Sequence, residues 1–527
     1  MAIKLLVSGM YCDRCVDHVR EALLAAGATE AEVSLAEGRA EVEGPLDLEK
    51  ARELLATSRY RLHPLGSDGS GAEDPEWGRR EFNLIVLGSG SAAFAAAIRA
   101  RDNGFSVALV ERDVVGGTCV NIGCVPSKAL LAASRRHPQP TLAEAVAQKD
   151  ELVSLLRQAK YLDLLDHYGI QLIEGEGRIV DGHTVSVGDR LLSADVILIA
   201  TGAEPAIPPI EGLNQVDYLT STTALELREP PRRLAVIGAN AVGLELGQLF
   251  GNFGSQVTFI ELDRLAPYEE PELASRLKGV LQGEGHQVLE RASVREARAV
   301  GGEVVLRGEG PEGSFELATD AVLVATGRRP RTAGLGLEEA GVITDERGTV
   351  VVDPHQRTSV PSIYAAGDVA NQPQFVYVAA AAGAIAAENG LLHTSQSLDL
   401  ATLPRVTFTN PQLAGAGLTE QAAKARGLAV RATVLGLDAV PRALVEGRTE
   451  GAVKLVCESG SGRLLGGSLL AEGAGEVAQA LVYALRSGMT VEQIAASWSP
   501  YLTIAEAVKL AAQSFSRDVA ALSCCAA

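Results

Sequence analysis

The sequence predicts an α/β protein in which a small βαββαβ module precedes two doubly wound parallel-sheet domains and a closing α+β domain. Three observations carry this. From about residue 81 the chain alternates short apolar runs with helix-period stretches. Two distant segments repeat one pattern: an apolar strand, a glycine-rich turn and a helix. Between the module and the rest, residues 67–80 are rich in Gly, Ser, Asp and Glu and carry no apolar period, which reads as a flexible linker.

Bulk properties narrow the function. At 527 residues the chain exceeds one ordinary core and suggests three or four domains. A hydrophobic content of 47% with 21% charged residues is that of a soluble globular protein. The formal net charge of −19, with no basic stripe, argues against nucleic acid. The longest apolar run, around Val376 to Ala387, closes on Glu388 and is too short to cross a bilayer, so no membrane insertion is expected. The start lacks the basic and long apolar regions of a signal peptide, which makes the cytoplasm the expected location. Seven cysteines fall as Cys12/Cys15, Cys119/Cys124, Cys524/Cys525 and Cys457 alone. In a reducing compartment, close pairs argue for redox or metal chemistry rather than structural disulfides. Cys457, inside a strand-like run, reads as a small buried hydrophobe.

Residues 1–66 read as strand (Ile3 to Val7), helix with Val16, Val19, Leu23 and Leu24 on one side, two strands about Glu37-Gly38, helix (Leu48 to Leu55) and strand (Tyr60 to Leu65). That order suggests a ferredoxin-like module. Its first loop holds Gly9-Met10-Tyr11-Cys12-Asp13-Arg14-Cys15, where two thiolates at a helix start suit capture of a soft ion such as Hg²⁺ or Cu⁺.

The first large fold opens with the buried strand Phe82 to Leu87, then Gly88-Ser89-Gly90-Ser91-Ala92-Ala93 and a helix. Gly88, Gly90 and Ala93 occupy the G-x-G-x-x-A positions, which allow a tight turn and bring backbone N–H groups to a pyrophosphate at the helix start. The next strand ends in Glu111, placed to accept from a ribose diol. A lone motif of this kind is weak; set between strand and helix with an acid about 20 residues on, it marks a Rossmann-like dinucleotide site. The second copy, Leu234 to Gly243, keeps Gly238 and Gly243 but has Asn240 at the middle position. Asn tolerates left-handed backbone, so the turn is expected to survive. Its second strand ends in Glu261, an acid that favours the free 2′-hydroxyl of NADH over the 2′-phosphate of NADPH, with Arg264 nearby to soften the preference. Two such folds imply two dinucleotides, one resident and one exchanging. Ala200-Thr201-Gly202 and Ala325-Thr326-Gly327 each end an apolar strand, and Asp368 stands at a helix start where it could bond a ribityl chain.

Directly after the first fold runs Gly116-Gly117-Thr118-Cys119-Val120-Asn121-Ile122-Gly123-Cys124-Val125-Pro126-Ser127-Lys128. Two thiols this close, at a helix start, suit a reversible disulfide, and the helix dipole and Lys128 would lower a thiol pKa. At this point residues 81 to 527 closely resemble the pyridine nucleotide–disulfide oxidoreductases. The resemblance implies bound FAD, a nicotinamide domain, and a C-terminal interface domain that makes a homodimer. It implies electron flow from nicotinamide through flavin to the thiol pair, with Cys124 next to the flavin, Cys119 the interchange thiol, and Lys128 paired with Glu245. Thr118, Thr201, Gly202 and Asp368 join the expected flavin contacts, and Gly327 the nicotinamide side. The expected division is a metal-binding module (1–66), linker (67–80), FAD-binding domain (81–228), NAD(P)H-binding domain (229–352), return to the flavin domain (353–398) and dimerisation domain (399–527).

The substrate follows from what differs. Disulfide-reducing members carry His-x-x-x-x-Glu near the C-terminus, because a thiol leaving group must be protonated. Here Glu506 remains but Tyr501 stands in the histidine's place, and a phenol with an ordinary pKa near ~10 is a poor base at neutral pH. Instead the tail carries Cys524 and Cys525, a movable pair of soft ligands. The module's Cys12/Cys15 loop resembles heavy-metal-associated domains, although Tyr11 stands where Thr is usual. The whole chain resembles the mercury-reducing members of the family, whose active-site tyrosines Tyr161 and Tyr501 match. The expected substrate is therefore Hg²⁺, bound by Cys12 and Cys15, by Cys524 and Cys525 serving the other subunit, and finally by Cys119 and Cys124. Expected partners are a second copy, small thiols and, as a candidate, a mercury transporter. Two other readings stay open: a dihydrolipoamide dehydrogenase-like disulfide reductase, and a copper chaperone fused to a flavoprotein.

Overall fold

The computed structural model describes residues 3–8, 13–34, 39–55, 60–64 and 77–519. The chain divides into two compact units, Met1–Val125 with Glu151–Glu204 and Arg328–Leu398, and Pro126–Asp150 with Pro205–Gly327 and Asp399–Ala527.

In the first unit the N-terminal module has the expected βαββαβ order. Its antiparallel sheet runs Glu30–Ser34, Arg39–Glu43, Ile3–Ser8, Arg61–Pro64, with helices Asp13–Ala25 and Leu48–Leu54. Val16, Val19 and Leu23 are buried against Leu5, Val42 and Leu62. Leu24, expected on the same side, is 42% exposed; Ala22 and Ala26 complete the buried stripe instead, because the small sheet is covered by a narrow helix face.

The larger part of this unit is built on the parallel strands Gln171–Glu174, Val107–Glu111, Phe82–Leu87 and Arg190–Ile199, with Ile363–Ala365 added beside the last. Phe82 to Leu87 is almost wholly buried, as continuous apolar strands covered on both faces must be. Helices Ser91–Asp102 and Val376–Leu392 cross so closely that a Cβ on Gly383 would lie 2.1 Å from the Ala92 carbonyl oxygen. The Ala-rich sequence of both helices permits that approach.

In the second unit a five-stranded parallel sheet runs Leu219–Thr220, Ala321–Val324, Arg233–Ile237, Gln256–Glu261, Gln287–Glu290. A three-stranded antiparallel sheet of Ser293–Val300, Glu303–Gly310 and Gly313–Thr319 follows. The α+β domain from residue 404 on has a five-stranded antiparallel sheet packed by Ala474–Arg486 and Glu506–Gln513. Cys457 is fully buried in it, and burial pushes its thiol pKa up, which suits an inert packing role.

One buried charge cluster ties that sheet to the nucleotide-type fold of the same unit. Lys454 Nζ stands 3.0 Å from Glu270, 2.9 Å from Glu272 and 2.7 Å from Glu420, and both Lys454 and Glu270 are 2% exposed. Removing the cation leaves Glu270 charged in a low-dielectric interior. Lys454→Ala is expected to cost about 3–5 kcal/mol in urea denaturation; a loss below about 1 kcal/mol would mean the carboxylates are solvated.

Candidate active site

Both glycine-rich turns are built alike. Gly88 (φ +106°) and Gly238 (φ +100°) lie in backbone space that disfavours a side chain. A Cβ would stand 2.5 Å from the Ala200 carbonyl oxygen in one fold and 2.4 Å from that of Ala325 in the other. Each Ala-Thr-Gly segment is thus packed directly under its glycine-rich turn. Helices Ser91–Asp102 and Ala241–Asn252 start at Gly90 and Asn240 with no side-chain cap, leaving N–H donors for an anion. Ala93 is fully buried in the first fold, and a Cβ on Gly243 would meet the Gly238 carbonyl oxygen at 1.9 Å in the second. The middle position corrects one expectation. Asn240 sits at φ −103°, ψ −171°, close to Gly90 at −79°, −169°, so no left-handed tolerance is used. This is extended backbone that any residue adopts.

The two acids at the strand ends are also held alike. Glu111 accepts from Ser89 Oγ (2.5 Å) and Asp113 N–H (2.9 Å); Glu261 accepts from Ala239 N–H (2.7 Å) and Asp263 N–H (3.3 Å). Arg264, expected to soften the NADH preference, donates to the carbonyls of Leu265, Ala266, Pro267 and Glu269. Its guanidinium closes its own loop instead, because four nearby carbonyls take its donors.

A residue the sequence reading passed over stands at the expected flavin side. Arg328 Nε lies 3.5 Å from Asp368 Oδ2, close enough for charge attraction but without hydrogen-bond geometry. Its guanidinium also donates to the Ala203 carbonyl and reaches Thr118 Oγ1 at 3.5 Å. Burial pushes the Asp368 carboxyl pKa up against the pull of Arg328, and burial lowers that of Arg328, with Asp368 and Cys124 opposing. Arg331 has a buried Nε without a hydrogen-bond partner too, while its carbonyl accepts from Thr201 Oγ1 at 2.7 Å. Gly202 (φ +69°) and Gly327 (φ +111°) both leave open space where a Cβ would be. Unsatisfied guanidinium donors, an uncapped helix start and side-chain-free backbone fit an FAD pyrophosphate and ribityl chain. The sequence signal was present as the cationic run Arg328-Arg329-Pro330-Arg331 following Ala-Thr-Gly.

Cys119 is the third residue of helix Gly117–Ile122, and Cys124 opens a separate helix, Cys124–Ser134. Gly123 joins them, and a Cβ there would lie 2.8 Å from the Thr118 carbonyl oxygen. Asn121 Nδ2 donates to the carbonyls of Val115 (3.0 Å) and Gly117 (3.1 Å), fixing the turn. Cys119 is half-buried and Cys124 exposed. Tyr161 joins them from a π-helical turn, Gln158–Leu162, and its ring meets Phe94 edge-on with centroids 4.9 Å apart. Burial raises the Tyr161 phenol pKa most, and nearby Cys119 and Cys124 add to the rise against a hydrogen bond with Ser91. A Cβ on Gly116, which caps the helix of Cys119, would lie 3.5 Å from the Tyr161 ring, so the structure packs Tyr161 at the start of the thiol segment.

In the second unit Lys128 Nζ meets Glu245 Oε2 at 2.5 Å. Glu245 is buried and accepts the Phe408 N–H at 2.9 Å, while Lys128 lies over the Phe408 ring at 4.7 Å. Tyr501 is half-exposed, beside Leu502 in left-handed backbone (φ +60°), and the nearby Glu506 Oε2 is buried without a hydrogen-bond partner. Cys15 is buried at the start of helix Asp13–Ala25. Cys12, Cys524 and Cys525 lie outside the described residues. Among the described residues, no group of three or more His, Cys, Asp or Glu is arranged to hold a metal ion, and no helix is long and apolar enough to cross a membrane.

Residues 82–383 match the pyridine nucleotide-disulphide oxidoreductase model, 403–512 the dimerisation domain of that family, and 4–59 the heavy-metal-associated domain. The chain is 44% identical to a mercuric reductase of Staphylococcus aureus, over 99% of each chain. It is 48% identical to one from Streptomyces lividans, over 84% of this chain and 98% of that one. Among solved structures, it is similar to a Cu(II) complex of the HOCl-induced flavoprotein disulfide reductase RclA from Escherichia coli. That match has a TM-score of 0.76 and 30% identity, over 83% of this chain and 99% of the other.

The environment of Tyr161 makes a prediction about alkaline stability. Its folded pKa is raised, so the unfolded chain ionises first as pH climbs past ~10. The stability held by the neutral phenol is present below that pH and is lost as pH rises through the folded value. Tyr161→Phe is expected to flatten the fall in Tm above pH ~10; an unchanged slope would mean the phenol is solvated.

Proposed function

This chain belongs to the pyridine nucleotide-disulphide oxidoreductase family, and we propose that it is an FAD-dependent mercury(II) reductase. The observation that carries the reading is the grouping of Cys119, Cys124 and Tyr161 in a chain that is 44% identical, end to end, to a mercuric reductase. The net reaction takes a mercury bis-thiolate, NAD(P)H and one proton to Hg⁰, NAD(P)⁺ and two thiols. Bound flavin supplies the two-electron relay between nicotinamide and thiols.

In this reading Gly88, Gly90, Ala93, Glu111, Thr118, Thr201, Gly202, Asp368 and Arg328 hold FAD. Gly238, Gly243, Glu261 and Gly327 hold the nicotinamide dinucleotide. Glu261 is anchored by two backbone N–H groups and Arg264 is engaged elsewhere, which supports NADH as the preferred donor. Lys128, its charge balanced by Glu245, orients the flavin ring.

Cys12 and Cys15 capture Hg²⁺ and pass it to Cys524 and Cys525 of the partner subunit in a cytoplasmic homodimer. Those thiols deliver it to Cys119 and Cys124, with Tyr161 and Tyr501 at the site. Exchange of one thiolate for another keeps the ion ligated throughout. No thiol leaving group needs a strong general base, which suits Tyr501 in place of histidine. The Tyr161 phenol stays protonated at neutral pH and is available as a hydrogen-bond donor to a thiolate.

The test follows nucleotide oxidation with Hg²⁺ and excess small thiol under argon. Mercury-dependent oxidation with Hg⁰ in the headspace is expected, faster with NADH, and Glu261→Gln should narrow the gap to NADPH. Cys119→Ser should lower mercury turnover on the order of a thousandfold. Cys524→Ala with Cys525→Ala should lower it about ten- to a hundredfold, with a dye acceptor as internal comparison. Turnover with oxidised lipoamide and none with mercury would make this a disulfide reductase instead.

A further inference from the structure

Beyond helix Cys124–Ser134, in the second unit, lies a cavity of about 520 Å³ whose walls include Arg135, Arg136, His137, Asn252, Arg448 and Glu472. In a chain of formal net charge −19 it gathers three guanidiniums and an imidazole against one carboxylate. Arg448 is paired with that carboxylate, Glu472, and Arg136 donates to the neutral Gln148 at 2.7 Å.

Arg135 has no carboxylate within ion-pair distance among the described residues. Its Nη2 donates to the Phe408 carbonyl (3.0 Å) and stands 3.5 Å from Gln248 Oε1, and its Nε is buried with no hydrogen-bond partner. Glu284, Glu245 and Glu472 act on it only from a distance, and burial lowers its pKa. A half-buried guanidinium whose hydrogen bonds go only to neutral groups carries a charge that an anion in the adjoining cavity would balance.

Gly473, on the same wall, opens helix Ala474–Arg486 without a side-chain cap, adding the positive end of a 13-residue helix. One of that helix's first N–H groups, on Gly475, is taken by Gln412. The lining holds no Phe, Tyr or Trp on which a base could stack.

We propose that this cavity is a binding site for a compact oligophosphate anion, held by the forked donors of Arg135 and Arg136 and closed by Arg448. Planar guanidiniums match phosphate oxygens two at a time, and the lack of an aromatic wall favours an inorganic anion over a nucleotide. The site touches the redox machinery through one residue. Phe408 accepts from Arg135 through its carbonyl and holds Glu245 through its N–H, so an anion drawing on Arg135 acts on the residue that braces the Lys128–Glu245 pair. The inference is independent of the mercury reading, because it is tested by binding rather than turnover.

The experiment is calorimetric titration of the full-length holoprotein with inorganic pyrophosphate. It is run at constant ionic strength and in saturating NAD⁺, so that the nucleotide site is filled. One saturable site per chain is expected, with Kd below about 1 mM. Arg136→Ala with Arg448→Ala, both on exposed side chains, should weaken it at least about tenfold. Arg136→Gln alone should shift Kd in the same direction, which keeps the test open should the double variant fold poorly. No saturable heat with wild type, or the same Kd in the variants, overturns the proposal.

Discussion

Two carbonyl oxygens set the terms for both nucleotide-type folds. The oxygen of Ala200 lies where a Cβ on Gly88 would be, and that of Ala325 where one on Gly238 would be. The absence of a side chain lets each turn close onto the strand end carrying Ala-Thr-Gly. The turn then delivers the next helix with its first N–H groups uncapped, and the acid at the adjacent strand end is clamped by the turn itself. In the proposed reading this fixed backbone would face the phosphate and ribose of a dinucleotide. The same contact repeated in two units shows that the constraint is geometric, since the intervening residues differ.

Around that frame the charges are compensated with care. Glu245 is buried and therefore costly alone, so it takes both the Lys128 ammonium and a backbone N–H. Asp368 is half-buried beside Arg328, and Lys454 is buried beside three carboxylates. Nε of Arg135, Arg328 and Arg331 is in each case buried without a hydrogen-bond partner. Tyr161 differs in kind. A π-turn carries its ring against Phe94, and burial, with Cys119 and Cys124 adding to it, keeps the phenol neutral rather than charged.

Much of this was legible in the residues. The module's element order, the two glycine-rich turns and the thiol segment each declare themselves through local periodicity or fixed spacing. Departures occurred where a side chain's destination mattered. Arg264 sits near Glu261 in sequence yet folds back on its own loop, and Leu24 continues the helical stripe yet faces out. Asn240 can adopt left-handed backbone, yet the turn holds it extended. In each case the sequence offers a capability, and neighbours remote in the chain decide whether it is exercised.

Residues alone therefore determined the order of the module and the larger folds, the two glycine-rich strand–turn–helix units and the spacing of the cysteine pairs. Those properties come from hydrogen bonding and turn chemistry within a few residues, which any window of the chain already contains. Tertiary structure alone decided that Arg328 reaches Asp368 and Thr118, that Tyr161 packs against Phe94 near the thiol segment, and that Arg135 backs a cationic cavity. Each of those joins segments far apart in sequence. Their partners are selected by sheet order and helix packing, for which no local pattern codes.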